Sequence, residues 1–529
     1  MKQLVTRIII GAVLGLSFNL PLQAGVVDLG LEAQLATMPS TQMVPVIISL
    51  STRADTNIIT TIDTVLRRAK IIQALQNHAK LKQLLLLAFL KANGATQIKP
   101  LWINNSVAAN VPAKLVRLIA SRAGIAKVSL DATLTAMVSG ATSLATPEWN
   151  VSAIHAPELW ALGQTAQNVV VANMDTGVDV LHPDLSTRWR GGTNSWYDPH
   201  GQHATPTDFA GAISGHGTRT MGLILGGDTG GTTIGTAPGA KWIATKIFNN
   251  QGTALESHFH QSFQWLLDPD NNPLTDDAPD VVNGSFQTAL AGVCDTRFQA
   301  DIQVLKTAGI AVVFAAGNSG PASSSSNSPA NNPGSFAAGA VDSLSAIASF
   351  SARGPAPAAC GGGLFPNLVA PGVDVLTADL TFAGMATYAF VSGTSFAAPH
   401  VAGGMALLKG AYPNVEVTAL ESALQDSATD LGAPGPDNEY GYGMLNVLGA
   451  YNILGNSGQN PVGVDDSYMV DEDTTLSTPA PGVLGNDSDP QNNPLTAILD
   501  TDVTHGSLTF NADGSFSYTP TSNYNGIDS

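Results

Sequence analysis

Asp175, His216 and Ser395 are three residue types that together can cut an acyl bond, and they stand in an order known to give that geometry. A serine hydroxyl is a poor nucleophile until a base takes its proton. A neutral imidazole can be that base near pH 7, and a buried carboxylate holds its tautomer and stabilises the imidazolium. Ser395 lies in the segment 393–403, GTSFAAPHVAG. The small, apolar run after it reads as a buried helix with Ser395 at its N-terminus. There, unpaired amides and the positive end of the dipole stabilise an oxyanion. His216 opens a second small-residue helix in SGHGT at 214–218, and Asp175 closes the apolar run 169–174. All three are expected where loops leave the carboxyl ends of strands in an open α/β sheet. A tetrahedral intermediate also needs fixed donors. Asn318, just past the run 309–316, and the Ser395 backbone N–H are the candidates.

The elements that must position these residues follow from the pattern. The runs 169–174, 240–247, 279–285 and 309–316 are continuous in Val, Ile and Ala. Such runs predict strands buried on both faces of a parallel sheet, with crossover helices between them. Residues 147–455 therefore read as a doubly wound α/β domain. Residues 25–135 read as a small α+β domain. It has strands at 44–50 and 125–130, a strand pair or one long strand at 101–111, and helices at 61–93 and 112–123. Arg67, Arg68, Lys70, Lys80 and Lys82 are expected on the wet side of the first helix. The Ala-, Ser- and Thr-rich stretch 136–146 reads as an exposed linker of the kind proteases cut. Residues 1–24 read as an export signal, with Lys2 and Arg7 before an apolar run and Leu22-Gln23-Ala24 before a cut. From 456 the chain reads as a linker and a β-sandwich with a hairpin at Asp513-Gly514, stopping at Ser529 without a closing strand.

Composition bounds the function. Of 529 residues, 44% are apolar and 12% charged, and the net charge of −18 argues against nucleic acid as a partner. No segment beyond the first 24 residues is long and apolar enough for a membrane span. Residues 1–146 carry 14 Lys+Arg against 5 Asp+Glu, and the remainder 9 against 36. A basic front and an acidic body could attract each other, or simply differ in composition. The two cysteines, Cys294 and Cys360, would stay unpaired in a reducing compartment and are expected to pair in an exported protein.

The blocks DTGVD at 175–179, HPDL at 182–185, GHGT at 215–218 and GTSFAAPHVAG at 393–403 resemble the signature blocks of subtilases, and AGN at 316–318 resembles their oxyanion block. The resemblance implies a secreted serine endopeptidase acting on protein and peptide substrates, extracellular, cell-surface or periplasmic. Asp175, His216, Ser395 and Asn318 would be catalytic, and no cofactor would be required for chemistry. VNGSFQ at 282–287 resembles the edge that pairs with extended substrate, which makes Ser285, Phe286 and Gly317 candidate substrate-binding residues. Gln287 stands where many subtilases carry glycine, leaving the main specificity pocket open. By the same resemblance Asp184 would ligate a structural calcium, with the loop 226–235 supplying the rest. Asp465, Asp466, Asp487 and Asp489 of the tail could hold another. The front domain resembles an inhibitor-I9-like propeptide, an intramolecular inhibitor removed by cleavage in the linker. The tail, with DEDTTL, GVLGNDSDP and HGSLTFNADGSFSYTP, resembles a truncated bacterial cadherin-like repeat.

Three rival readings come from the same residues. A second Asp-Thr-Gly at 228–230 raises a paired-carboxylate aspartic protease. His200 and His203, with His216 and Asp208, raise a zinc site. A catalytically silent adhesion protein is the third.

Overall fold

The computed structural model describes residues 25–56, 58–59, 64–135, 149–288, 290–456, 463–488, 494–499 and 501–529. The expected export signal, the linker at 136–146 and Asp489 lie outside these residues.

The front domain is a five-stranded sheet of β1 (Val26–Val27), β2 (Met43–Leu50), β3 (Thr96–Leu101), β4 (Ser106–Pro112) and β5 (Ile125–Leu130), in the order β1-β5-β2-β4-β3. The segment 101–111 is two strands, not one. Asn105 takes a φ of 54°, a left-handed conformation asparagine tolerates, and turns the chain between β3 and β4. The helix Thr64–Ala92 spans two cores. Leu86 and Leu90 pack on the front sheet, while Ile71, Ile72 and Leu75 enter the core of the larger domain. Arg67 and Arg68 are therefore not on a wet face as expected. Arg67 pairs with Glu416 at 2.8 Å, and Arg68 with Asp276 at 3.0 Å. Charge complementarity between front and body is thus used at this contact. A short strand β6 (Thr133–Thr135) then leaves the front domain.

The main sheet of the larger domain has seven strands. They are β7 (Val170–Asp175), β8 (Trp196–Tyr197), β9 (Lys241–Lys246), β11 (Val281–Gly284), β12 (Ala311–Ala315), β13 (Phe336–Val341) and β14 (Leu368–Pro371). Their order is β14-β13-β12-β11-β7-β9-β8, and every pairing is parallel. Successive residues point to opposite faces, so the continuous apolar runs feed two cores. Val171, Val281, Ala311 and Val313 join the layer holding the helices His216–Leu225 and Thr394–Ala411. Ala172, Val282, Val312 and Phe314 join the opposite layer under the helices Glu256–Leu267 and Gln299–Thr307. The strand β10 (Thr253–Leu255) lies outside this sheet and pairs antiparallel with β6. An antiparallel hairpin of β15 (Val375–Phe382) and β16 (Met385–Val391) leads into the Thr394–Ala411 helix. Cys294 and Cys360 form a disulfide.

The described tail is one antiparallel sheet, β17 (Leu476–Thr478), β18 (Gly506–Phe510) and β19 (Phe516–Pro520), in the order β17-β19-β18, with β18 and β19 joined across Asp513-Gly514. A facing second sheet is not among the described residues. No helix among the described residues is long and apolar enough to cross a membrane.

Candidate active site

Asp175 ends β7 beside the point where the sheet order reverses, between β7 and β11. Only Asp175 and Asn318 directly follow strands of the main sheet. A one-turn helix at Gly211–Ile213 leads to His216, and the β15–β16 hairpin delivers Ser395. The Asp175 and His216 segments meet through two glycines. Gly177 has a φ of 121°, and a Cβ there would stand 1.9 Å from the Thr207 carbonyl. A Cβ on Gly217 would stand 2.0 Å from the Gly177 carbonyl. This close approach puts His216 Nδ1 2.8 Å from Asp175 Oδ1. Both side chains are buried, and the Thr176 N–H also donates to Asp175 Oδ1 at 2.7 Å.

The opposite ring nitrogen, His216 Nε2, and Ser395 Oγ are both buried, and neither has a hydrogen-bond partner. The imidazole lies tilted at 46° against Phe396, the residue after Ser395, with ring centroids 5.6 Å apart. Unbound sites commonly leave the hydroxyl–imidazole bond unmade until substrate arrives. Burial pulls the His216 imidazole down. The charge and hydrogen bond of Asp175, and then the charge of Asp208, outweigh it and hold its pKa above the ordinary histidine value.

Ser395 is the second residue of its helix. The first residues of a helix have no intrahelical acceptor for their N–H groups. Thr394 N–H donates to Asn318 Oδ1 at 2.9 Å, and Phe396 N–H to Gly393 O at 3.0 Å. That leaves the Ser395 N–H between them without a partner among the described residues. The Thr394 hydroxyl also donates to Asn318 Oδ1, at 2.8 Å, which fixes the amide orientation. Asn318 Nδ2 is then the donor end, 3.5 Å from where a Cβ on Gly393 would lie.

A buried polar chain joins the two helices. Asn173 Nδ2 on β7 donates to Gly217 O at 3.0 Å. Asn283 Nδ2 on β11 donates to Asn173 Oδ1 and to Ser285 Oγ, both at 3.0 Å. Ser285 Oγ donates to Ser395 O at 2.8 Å. That carbonyl is free because Pro399, four residues on, has no N–H to offer it. Ser285 supplies the missing donor and clamps the turn that carries the hydroxyl. The sequence signal for this chain was an asparagine inside each of two apolar strands. Lys246, fully buried at the end of β9, donates to Thr176 O and Phe248 O at 2.9 Å and to Phe209 O, bracing the turn after Asp175.

The comparisons with known proteins place the chain in one family. A model of the subtilase family matches residues 166–443, just over half of the chain. The chain belongs to the subtilase family of serine endopeptidases. Subtilisin of Bacillus pumilus is 33% identical over 316 residues, covering 57% of this chain and 98% of that protein. Subtilisin Savinase of Lederbergia lenta is 34% identical over 302 residues, covering 57% of this chain and 97% of that protein. Bacillopeptidase F of Bacillus subtilis (strain 168) is 36% identical over 331 residues, 58% of this chain but only 22% of that longer protein. The tail of this subtilase, residues 458–529, matches the bacterial cadherin-like domain.

Other expected residues of the subtilase lie elsewhere than foreseen. The Phe286 side chain does not line the cleft. It is 1% exposed and packs on Phe259 and Phe314, with centroids 5.0 and 5.7 Å apart. Gly317 is buried with a φ of 110°, and its N–H donates to the Thr394 hydroxyl oxygen at 3.1 Å. Asp184 is buried, but its oxygens accept from Thr229 N–H at 2.8 Å and Tyr388 O–H at 2.7 Å, and its charge is felt by Arg188. Donors and a guanidinium, not oxygen ligands, surround this carboxylate, so it does not fit a calcium. The second Asp-Thr-Gly serves here, with Thr229 capping Asp184 and not facing Asp175. His200 Nε2 bonds Ile247 O, His203 Nε2 bonds Asn250 Oδ1, and Asp208 is held by Thr176 and Thr218. No shared zinc centre forms from these described side chains. In the tail, Asp487 Oδ1 accepts from Val464 N–H.

Proposed function

We propose that this subtilase is a secreted serine endopeptidase, made as a zymogen, that cleaves peptide bonds through an acyl-enzyme on Ser395. The observation that carries the reading is the buried Asp175–His216 hydrogen bond, with His216 Nε2 and the Ser395 hydroxyl both buried and unpartnered, and the His216 ring 5.6 Å from that of Phe396 beside Ser395. His216 Nε2 takes the Ser395 proton as Oγ attacks the scissile carbonyl carbon. Asp175 fixes the Nδ1–H tautomer and stabilises the imidazolium. Asn318 Nδ2 and the Ser395 N–H hold the tetrahedral oxyanion. His216 then returns the proton to the departing amine. Water repeats the sequence on the acyl-enzyme and regenerates the hydroxyl. No metal or cofactor has a step in this sequence.

The antiparallel pairing of β6 on β10 supports a reading in which an extended chain binds this surface as an added strand. We read the front domain as the inhibitor occupying that edge, with the cut that releases it in the linker at 136–146. The Asp131 carboxylate, on Ser257 N–H at 2.8 Å and Ser257 O–H at 2.6 Å, pins the approach to β6. The disulfide supports export to an oxidising compartment.

Mass spectrometry of the purified protein beside a Ser395→Ala copy tests this reading. The active protein should lose about 130–146 N-terminal residues and hydrolyse denatured casein, whereas the alanine copy should keep its front domain and do neither. An alanine copy that matures unaided and digests casein contradicts it.

A further inference from the structure

The loop between the Glu256–Leu267 helix and β11 lies at the amino end of the parallel sheet, opposite the end that carries Ser395. It gathers Asp268, Asp270 and Asp277, with one oxygen of each within 4.8 Å of the others. Asp268 is only 6% exposed, and neither of its oxygens has a hydrogen-bond partner among the described residues, although the Gln76 side chain and the Asn272 N–H lie near enough to favour its charged form. An ionised carboxylate buried without donors is costly and calls for a counter-charge. The surroundings give Asp268 none. Arg190 Nη1 donates to the Asp277 backbone carbonyl, and Arg68 pairs with Asp276. No ion pair to Asp268 forms among the described residues. Asp277 accepts from Asn194 Nδ2 at 2.9 Å, and Asp270 from the Asn272 N–H and the Thr275 hydroxyl, each at 2.8 Å.

We propose that Asp268, Asp270 and Asp277 bind a calcium ion that fastens this loop to the catalytic domain. The donors are all oxygens with no histidine or cysteine among them, which suits a hard cation and not zinc. Three carboxylates of unequal exposure in an irregular loop suit calcium, which takes six to eight oxygens in flexible geometry, better than magnesium, which demands a near-ideal octahedron. Water completes the shell on the exposed side at Asp270. The ion replaces the missing donors of Asp268, in contrast to Asp184, whose oxygens already have theirs. Asp276, in the same loop, takes Arg68 of the front domain. The ion therefore holds the loop on its own once that arginine leaves.

The test uses the full chain carrying Ser395→Ala, which prevents self-digestion. Calcium chloride is titrated calorimetrically, and thermal unfolding is compared in 10 mM calcium and in chelator at matched ionic strength. An equivalent binding with Kd roughly 10⁻⁴–10⁻³ M is expected, with Tm higher in calcium by about 2–4 °C. Adding Asp270→Asn, at an exposed position, should remove that equivalent and the Tm shift, and Asp184→Asn should keep both. Asp268→Asn should cross over, unfolding no earlier than the parent in chelator but earlier in calcium. No binding, or an equivalent and a shift that survive Asp270→Asn, overturns the proposal.

Discussion

At the carboxyl end of the parallel sheet Asp208 is buried and fully provided for, while at the amino end Asp268 is buried and left bare. Asp208 accepts from Thr176 O–H at 2.7 Å, Thr218 N–H at 2.8 Å and Thr218 O–H at 2.7 Å. Neither Asp268 oxygen has a hydrogen-bond partner among the described residues. The same side chain thus does two jobs. Near His216 the chain supplies its own donors, so that a fixed negative charge can bias the imidazole. Across the sheet it leaves oxygens open, as a site for an ion requires. Three donors rigidly placed are the mark of the functional end, where geometry must not depend on solvent or ligand.

The comparison can be broken most severely at the donors themselves. Asn318→Ala should lower kcat by on the order of 10²–10³ with little change in KM, the range the related subtilisin shows for its oxyanion asparagine. Steady-state kinetics on a peptide substrate would show it, and an unchanged kcat would remove Asn318 from the site. Ser285→Ala comes next. It strands the Ser395 carbonyl in the interior, which should cost about 1–3 kcal/mol in denaturant unfolding of the Ser395→Ala protein. Combining it with Pro399→Ala, which restores an N–H four residues on, should recover part of the loss, and strict additivity of the two would deny the clamp. The two carboxylates themselves give a smaller contrast of sign. In chelator Asp208→Asn should destabilise by about 1–3 kcal/mol, since one of its donors loses its acceptor, while Asp268→Asn should not destabilise. Equal losses at both positions would erase the distinction drawn here.

The smallest effect is on pH dependence. The base must be neutral, so activity is lost as pH falls through the His216 pKa. Because that pKa is raised, the acid limb of kcat/KM should lie above the ordinary histidine value of about 6.5. Asp208→Asn removes one charge that raises it and should move the limb down by on the order of half a unit, about 0.7 kcal/mol. A limb that stays in place would mean that Asp208 carries no charge in the folded protein.

Much of this was legible in local pattern. Four of the seven sheet strands were continuous apolar runs, and Asp175 and His216 stood near Gly177 and Gly217, the glycines that the packing of β7 on the His216 helix requires. The strands β13 and β14 were not foreseen. FAAGAV and LVAP are short and rich in Ala, Gly or Pro, so they carry little of the β-branched signal that marked the others. The Asn173–Asn283–Ser285 chain depends on β7 lying beside β11, a pairing across 110 residues that no window reveals. Phe286 was placed at the substrate by its neighbours in the motif. Its strand end turns the ring into the aromatic cluster of Phe259, Phe298 and Phe314. Arg67 and Arg68 looked solvated because their partners lie more than 200 positions away. Asp184 kept the residue type of a calcium ligand, while Thr229 and Tyr388 had taken up its oxygens.

The account turns on whether the His216 imidazole activates the Ser395 hydroxyl. Treating the mature protein with a serine-directed organophosphonate and mapping the adduct by peptide mass spectrometry measures this directly. The account predicts one adduct, on the peptide containing Ser395, formed at least a hundredfold more slowly in His216→Ala, with proteolysis lost in step with labelling. Proteolysis that persists in protein fully labelled at Ser395, or labelling that is indifferent to His216, would contradict it.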